Sequence, residues 1–220
     1  MSVVLLVRHG QASWGAADYD VLSPLGGRQA EVLGEALAAR GLVPDRVVHG
    51  GMQRQRETAR LLAAGAGWQH APVEDLGWDE MDHPQVLERA PREFAGDEPT
   101  RAQFQAWFEE ATRRWTGGEF DHEYAEPFPA FGRRVRDALA SVTDGLAPDG
   151  VAVVVTSGGP VAAVTTQLLG GDATTYGRLA PVVVNASVTK LVVGRRGTTL
   201  VSFNDHSHLE APGSDLLTYR

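Results

Sequence analysis

The sequence predicts an α/β fold: a three-layer sandwich with a mostly parallel central sheet, helices on both faces and a helical and loop cap inserted near one sheet edge. Three observations predict it. Residues 3–7, Val3-Val4-Leu5-Leu6-Val7, form a short β-branched apolar run that reads as a buried central strand. Residues 151–155 form a second run of this kind, followed by the turn Thr156-Ser157-Gly158-Gly159-Pro160 and a helical stretch to Leu169. The opening third alternates strand and helix, as parallel strands joined by crossover helices require.

The elements follow in order. Ser23 as N-cap and Pro24 at the first helical position start a helix. Its buried stripe is Leu25, Val32, Leu33, Ala36 and Leu37, and Gly41 can end it. Residues 45–49 read as a second short strand and residues 53–64 as a second helix. From Trp68 the pattern changes to mixed acidic, aromatic and polar residues. Within that stretch residues 79–128 are expected to cap the sheet edge, and Phe104, Trp107, Phe108 and Trp115 to pack the cap onto the body. Residues 127–146 read as a helix whose Arg133, Arg134 and Arg136 form a solvated face. Residues 182–184, 188–193 and 198–203 read as closing strands, with a hairpin turn at 194–197.

A chain of 220 residues with 43% hydrophobic residues is enough for one domain, 1–220, with a real core. The net charge of −8 argues against non-specific nucleic-acid binding while leaving room for a local anion pocket. Without cysteine there are no disulfides, thiolate nucleophiles or thiolate metal sites. No signal-peptide pattern precedes the first strand and no apolar run reaches membrane-spanning length, so a cytoplasmic protein with no membrane partner is expected. The final strands and exposed aromatics permit a homodimer.

Arg8-His9-Gly10 falls at the C-terminal end of the first strand, the edge where open α/β sheets place their chemistry. A guanidinium beside an imidazole suits phosphoryl chemistry, since the cation holds the anion and the ring attacks it. Three further pieces fall on strand ends or loops: Arg54 within Met52-Gln53-Arg54-Gln55-Arg56-Glu57-Thr58-Ala59, Glu80 within Trp78-Asp79-Glu80-Met81-Asp82, and the Ser157-Gly158-Gly159 turn.

With these pieces the chain resembles the histidine phosphatase superfamily, the phosphoglycerate-mutase-like family. Gln11-Ala12-Ser13, Leu22-Ser23-Pro24-Leu25-Gly26 with Gln29, Asn185-Ala186-Ser187, and Phe203-Asn204 with His208-Leu209 extend the resemblance over nearly the whole chain in the family's order. The resemblance implies that His9 is the nucleophile that takes the phosphoryl group. Arg8 and Arg54 would hold its oxygens, and Glu80 would protonate the leaving oxygen and later take a proton from water. A neutral imidazole can attack phosphorus if its other nitrogen donates a hydrogen bond that fixes the tautomer. Two guanidiniums supply charge-assisted bonds, so no metal or other cofactor is expected. The residues alone leave alternatives open. His9 could be a satisfied structural histidine, Arg56 rivals Arg54, and Asp79 and Asp82 rival Glu80.

One position departs from the family pattern. Where the family carries a second histidine in a His-Gly-Gly turn, this chain has Ser157-Gly158-Gly159. Its own His49-Gly50-Gly51 precedes Arg54 and is set aside as a decoy. Ser157 and the Gly158 amide are expected to bind phosphate as neutral donors. Charged hydrogen bonds exceed neutral ones by about 1 kcal/mol, and a catalytic donor can matter by about 3 kcal/mol. A slower enzyme, or one of altered preference, is therefore expected. His83, His206 and His208 are candidates to compensate, each with a plain alternative as an exposed or structural residue. The expected activity is hydrolysis of a small phosphomonoester, or of a phosphorylated protein, through a phosphohistidine on His9. The alternatives are mutase-type transfer, or a catalytically weak protein that binds a phosphorylated ligand or inorganic phosphate as a sensor.

Overall fold

The computed structural model describes residues 1–13, 20–92, 94, 100–210 and 215–219. Its strands are β1 (Ser2–Arg8), β2 (Arg46–His49), β3 (Val73–Glu74), β4 (Val151–Thr156), β5 (Val188–Gly194) and β6 (Gly197–Asp205). Its helices are α1 (Pro24–Ala39), α2 (Gln53–Ala66), α3 (His83–Glu88), α4 (Arg101–Thr116), α5 (Phe128–Asp144), α6 (Gly158–Leu168) and α7 (Ala173–Leu179). The strands form one sheet in the order β3-β2-β4-β1-β5-β6. The first four are mutually parallel, and β5 and β6 add an antiparallel edge. Among the described residues no helix is long and apolar enough to cross a membrane.

Strand alternation divides the core into two layers. Val4, Leu6, Ala152 and Val154 face Trp78, Trp115, Phe131, Tyr176 and the apolar side of α6. Leu5, Val7, Val153 and Val155 face Leu33, Leu37, Ala59 and Leu62 of α1 and α2. Each fully buried aliphatic side chain stabilises by about 1.5–3 kcal/mol. Burial on both faces is why the two predicted runs are apolar without alternation. The register pairs Val7 with Val155 and Arg8 with Thr156. After β1 the chain turns to the α1 layer; after β4 it turns into α6 on the other layer. A crevice opens where neighbouring strands send their connections to opposite faces.

The helix start at Ser23-Pro24 is as expected: the Ser23 hydroxyl accepts from Gly26 N at 3.0 Å, and Gly41 takes a φ of +69° just past the end. The 194–197 turn is a two-residue hairpin at Arg195-Arg196, with Gly194 paired to Gly197. Residues 182–184 are not a strand. Pro181 lies in a 3-10 turn, Ala180–Val182, and the backbone groups that follow bond to side chains instead of a neighbouring strand. Val184 N donates to Asn204 Oδ1 at 2.8 Å, and Val183 O accepts from Arg8. Val183 and Val184 are fully buried, which accounts for their apolar character, whereas Val182 is exposed. The two-residue β3 was not anticipated, since both its residues are exposed.

Within segment 79–128, residues 93 and 95–99 lie outside those described. Trp115 of α4 is fully buried, 5.1 Å from Phe128, 5.3 Å from Phe131 and 6.3 Å from Tyr176 between ring centres, and its Nε1 donates to Glu126 O. Phe104, Trp107 and Phe108 on the same helix are only half-buried.

One close approach seats the end of β1 on α1. A β-carbon on Gly26 would lie 2.1 Å from Gln11 O, and one on Gly10 would lie 2.2 Å from Gly26 O. Gly27 has only a leucine side-chain atom at 3.5 Å from that position. Gly26→Ala is therefore expected to destabilise the protein by about 1–3 kcal/mol. Gly27→Ala should be neutral or stabilising by up to about 1 kcal/mol. Paired denaturant titrations check the contrast; equal losses at the two positions would refute it.

Candidate active site

His9 follows β1 directly. Its N–H donates to Thr156 O at 2.8 Å, and its carbonyl accepts from Asn185 Nδ2 at 3.1 Å. The ring is buried at 5% exposure. Nδ1 lies 2.7 Å from Gly10 O, and since a carbonyl only accepts, Nδ1 carries the proton. Nε2 is then the lone-pair nitrogen, and Arg54 Nε–H donates to it at 3.1 Å. Burial first, then the charges of Arg54 and Arg8, hold the His9 pKa well below the usual 6.5, so the ring is neutral at physiological pH.

Arg54 sits in the first turn of α2, 5% exposed, with Asp20 on its Nη1 at 2.9 Å. Thr58, one turn on, gives its hydroxyl proton to Arg54 O at 2.7 Å and accepts Gly10 N at 3.0 Å. One hydroxyl thus fastens the turn after β1 to α2. Arg56 points away and pairs loosely with Glu74. Arg8 is anchored by Nη1, which donates to Val183 O and, at 2.7 Å, to Tyr219 O. Its Nε would be 3.7 Å from a β-carbon on Gly158. The tail that meets Arg8 is itself stitched down: Gln29 Nε2 donates to Leu216 O at 2.6 Å, and Thr218 bonds Asn185 through backbone and side chain.

Glu80 is 9% exposed and spans the gap from segment 79–128 to α6. Its Oε2 accepts from Gly159 N at 2.9 Å and its Oε1 from Met81 N at 3.0 Å. A β-carbon on Gly159 would fall 2.0 Å from Oε1, so only glycine leaves room for this carboxylate. Its rivals are employed elsewhere. Asp79 accepts from Gly51 N, and burial raises its pKa. Asp82 caps α3 by accepting from Gln85 N at 3.0 Å. Ser157 is buried, and its hydroxyl oxygen accepts from Gln55 Nε2 at 2.9 Å, which leaves its proton available to donate onward.

The arrangement brings His9, Arg8, Arg54, Glu80, Ser157 and Gly158 to one crevice. The Gly159 amide is committed to Glu80. Three supporting residues were not anticipated as site residues: Asp20 on Arg54, Gln55 on Ser157, and Arg134. Arg134 is not part of a solvated face. It forks onto Glu126 at 2.7 and 2.8 Å and donates to Gly77 O at 3.0 Å and Asp79 O at 2.9 Å, clamping the backbone just before Glu80. Its position in the 3.6-residue period, beside buried Val135, was the available signal.

The remaining histidines separate. His49 ends β2, with β4 between it and His9, and its Nδ1 donates to Gly50 O. His206 bonds Asn204 O and pairs with Glu210 at 3.2 Å. His208 lies against the α1 layer, and burial lowers its pKa to about 4. His83, the first residue of α3, alone of the three candidates acts electrostatically on His9. Among the described residues no three acidic or imidazole side chains are grouped to hold a metal ion.

The family model of the histidine phosphatase superfamily (branch 1) matches residues 4–206. A phosphoserine phosphatase from Entamoeba histolytica, solved in complex with 3-phosphoglyceric acid, superposes with a TM-score of 0.68 at 19% identity, covering 95% of this chain and 100% of that one. YhfR from Bacillus stearothermophilus gives 0.70 at 20% identity, covering 96% and 100%. A mycobacterial glucosyl-3-phosphoglycerate phosphatase, solved with inorganic phosphate, gives 0.64 at 24% identity, covering 94% and 99%. A comparison with curated proteins returned no match.

The site geometry makes a titration prediction. With its folded pKa depressed, neutral His9 contributes stability that is complete above pH 6.5 and is lost as pH falls further. Nitrogen-detected NMR should show a protonated Nδ1 and an unprotonated Nε2 that persist well below pH 6.5. Arg54→Gln should move the His9 pKa part of the way back up, because burial is the larger cause. A His9 that titrates normally in the wild type would contradict this.

Proposed function

The chain belongs to the histidine phosphatase superfamily, and on that premise we propose that it is a phosphatase acting on a small phosphomonoester through a phosphohistidine on His9. The observation that carries the reading is the His9 ring: buried, neutral, tautomer fixed by Gly10 O, and its lone pair beside the Arg54 guanidinium. Solved proteins of similar fold that are phosphatases, with phosphoglyceric acid or inorganic phosphate bound, support the ligand class.

A phosphoryl group entering the crevice is held by Arg8, Arg54, the Ser157 hydroxyl and the Gly158 N–H. The Arg54 N–H that occupies His9 Nε2 passes to a phosphoryl oxygen, which frees the lone pair. Nε2 attacks phosphorus, the ester P–O bond breaks, and Glu80 gives its proton to the leaving oxygen. The ring keeps its Nδ1 proton, and the Gly10 carbonyl stabilises the positive charge of the phosphorylated imidazole. Water then attacks phosphorus and gives a proton to Glu80, and the P–N bond breaks to return neutral His9. The two guanidiniums neutralise the transferring oxygens, so the mechanism calls for no metal. Segment 79–128 acts in this reading as the cap that carries Glu80 and screens the crevice, within a single domain of residues 1–220. A second reading, a phosphate-ligand binder without turnover, rests on Ser157 in place of a second catalytic histidine.

Hydrolysis of p-nitrophenyl phosphate in chelator-treated buffer, between about pH 5 and 8, separates the two. Wild type is expected to turn over and His9→Ala to fall by at least about a thousandfold. Equal near-background rates would favour the binder.

A further inference from the structure

We propose that Gln55 is a positioning residue of the phosphate pocket: its side-chain amide holds the Ser157 hydroxyl oxygen, so that the hydroxyl proton is directed to an unprotonated phosphoryl oxygen of the ligand. The assignment rests on the phosphatase reading and deepens it by adding a residue that acts on the ligand through another.

Three observations support it. First, the Gln55 amide has a single orientation. Its Oε1 accepts from Met52 N at 3.3 Å, while Nε2 donates to Trp78 O at 3.3 Å and to Ser157 Oγ at 2.9 Å. A flipped amide would set its oxygen against the Trp78 carbonyl and its N–H groups against the Met52 N–H. The residue is fully buried, so no water competes for these bonds. Second, the Ser157 hydroxyl is left with one task. It is 1% exposed, its oxygen accepts from Gln55, and its proton meets no acceptor among the described residues. Gln55 offers Ser157 only N–H, so it cannot take that proton itself. A buried donor without an acceptor is costly, and a ligand oxygen supplies the missing one. Ser157 stands at the crevice by geometry: Thr156 O, just before it, accepts from His9 N at 2.8 Å, and Gly159 N, two residues on, donates to Glu80. Third, the amide has a built seat. A β-carbon on Gly50 would lie 2.1 Å from Gln55 Oε1, so a side chain there would displace it. Trp78 O, which takes the second Gln55 N–H, also accepts from the Thr156 hydroxyl at 2.5 Å. One amide thus joins the first turn of α2, which carries Arg54, to the turn after β4 and to the backbone two residues before Glu80.

Inorganic phosphate binding by calorimetry tests the assignment in a double-mutant cycle of Gln55→Leu and Ser157→Ala. Leucine keeps buried bulk and removes the N–H groups. Gln55→Leu is expected to weaken phosphate binding about fivefold or more with Ser157 present, and by less than about twofold in the Ser157→Ala background. A similar loss in both backgrounds means that Gln55 only supports the fold, and it overturns the proposal, as does wild-type affinity in Gln55→Leu. Should Gln55→Leu fail to fold, the Gln55 side-chain amide NMR signals decide. A shift on adding phosphate to the wild type that disappears in Ser157→Ala supports the assignment; signals that ignore phosphate, or that shift equally in Ser157→Ala, overturn it. Wild type that binds phosphate with the coupled loss but does not turn over p-nitrophenyl phosphate would overturn the phosphatase reading and keep the Gln55 assignment. No phosphate binding by the wild type would overturn both.

Discussion

The hydrogen bond from His9 N to Thr156 O is the contact on which the site depends. It extends the β1–β4 pairing one step past the strands and sets His9 beside Ser157 at the edge of the sheet. The two chains then separate, one toward α1 and the other into α6, so the crevice is a consequence of topology. Everything that completes the site is fastened to these two turns: Thr58 to Gly10, Arg8 against Gly158, Glu80 to Gly159, Gln55 to Ser157. A slip of one residue between β1 and β4 would send these groups to opposite faces.

Charge is concentrated at this edge in a protein that is acidic overall. Arg8 is oriented by the carbonyls of Val183 and Tyr219, and Arg54 by Asp20. Their charges add to burial in keeping the neighbouring imidazole unprotonated. In the proposed phosphatase reading, the same field that would recruit a phosphorylated ligand also keeps His9 in the state that can react with it. Arg134 works on the other side, holding the backbone before Glu80 by its own donors while its charge is met by Glu126.

The sheet was legible because buried parallel strands write themselves as unbroken apolar runs, and α1 because its cap and its stripe agree. Residues 182–184 misled because Val183 and Val184, buried without strand pairing, leave the same apolar mark as a strand, and β3 was silent because both its residues are exposed. At the candidate site, the convergence of His9, Arg8, Arg54 and Glu80 was expected from their positions after strands and from the family's order of motifs, and it is their placement in the fold that bears on that expectation. Gln55 and Asp20 were not expected, because a supporting residue is defined by which partner tertiary structure brings to it, and polar residues on a helix or loop look alike in one dimension; Arg134 was marked only by its place in the helical period of α5.

The tail has a consequence for how this molecule can be handled and how it can change. Tyr219 O holds Arg8, while residues 216 and 218 are bonded to Gln29 and Asn185. The amino end, by contrast, pairs with Asp149 near the opposite end of β1, far along the strand from the crevice. A pull on residues 216–219 is therefore carried to a guanidinium at the crevice, whereas a pull on the first residues of β1 acts at the far end of that strand, so the two segments differ in how strongly a disturbance there is felt at His9.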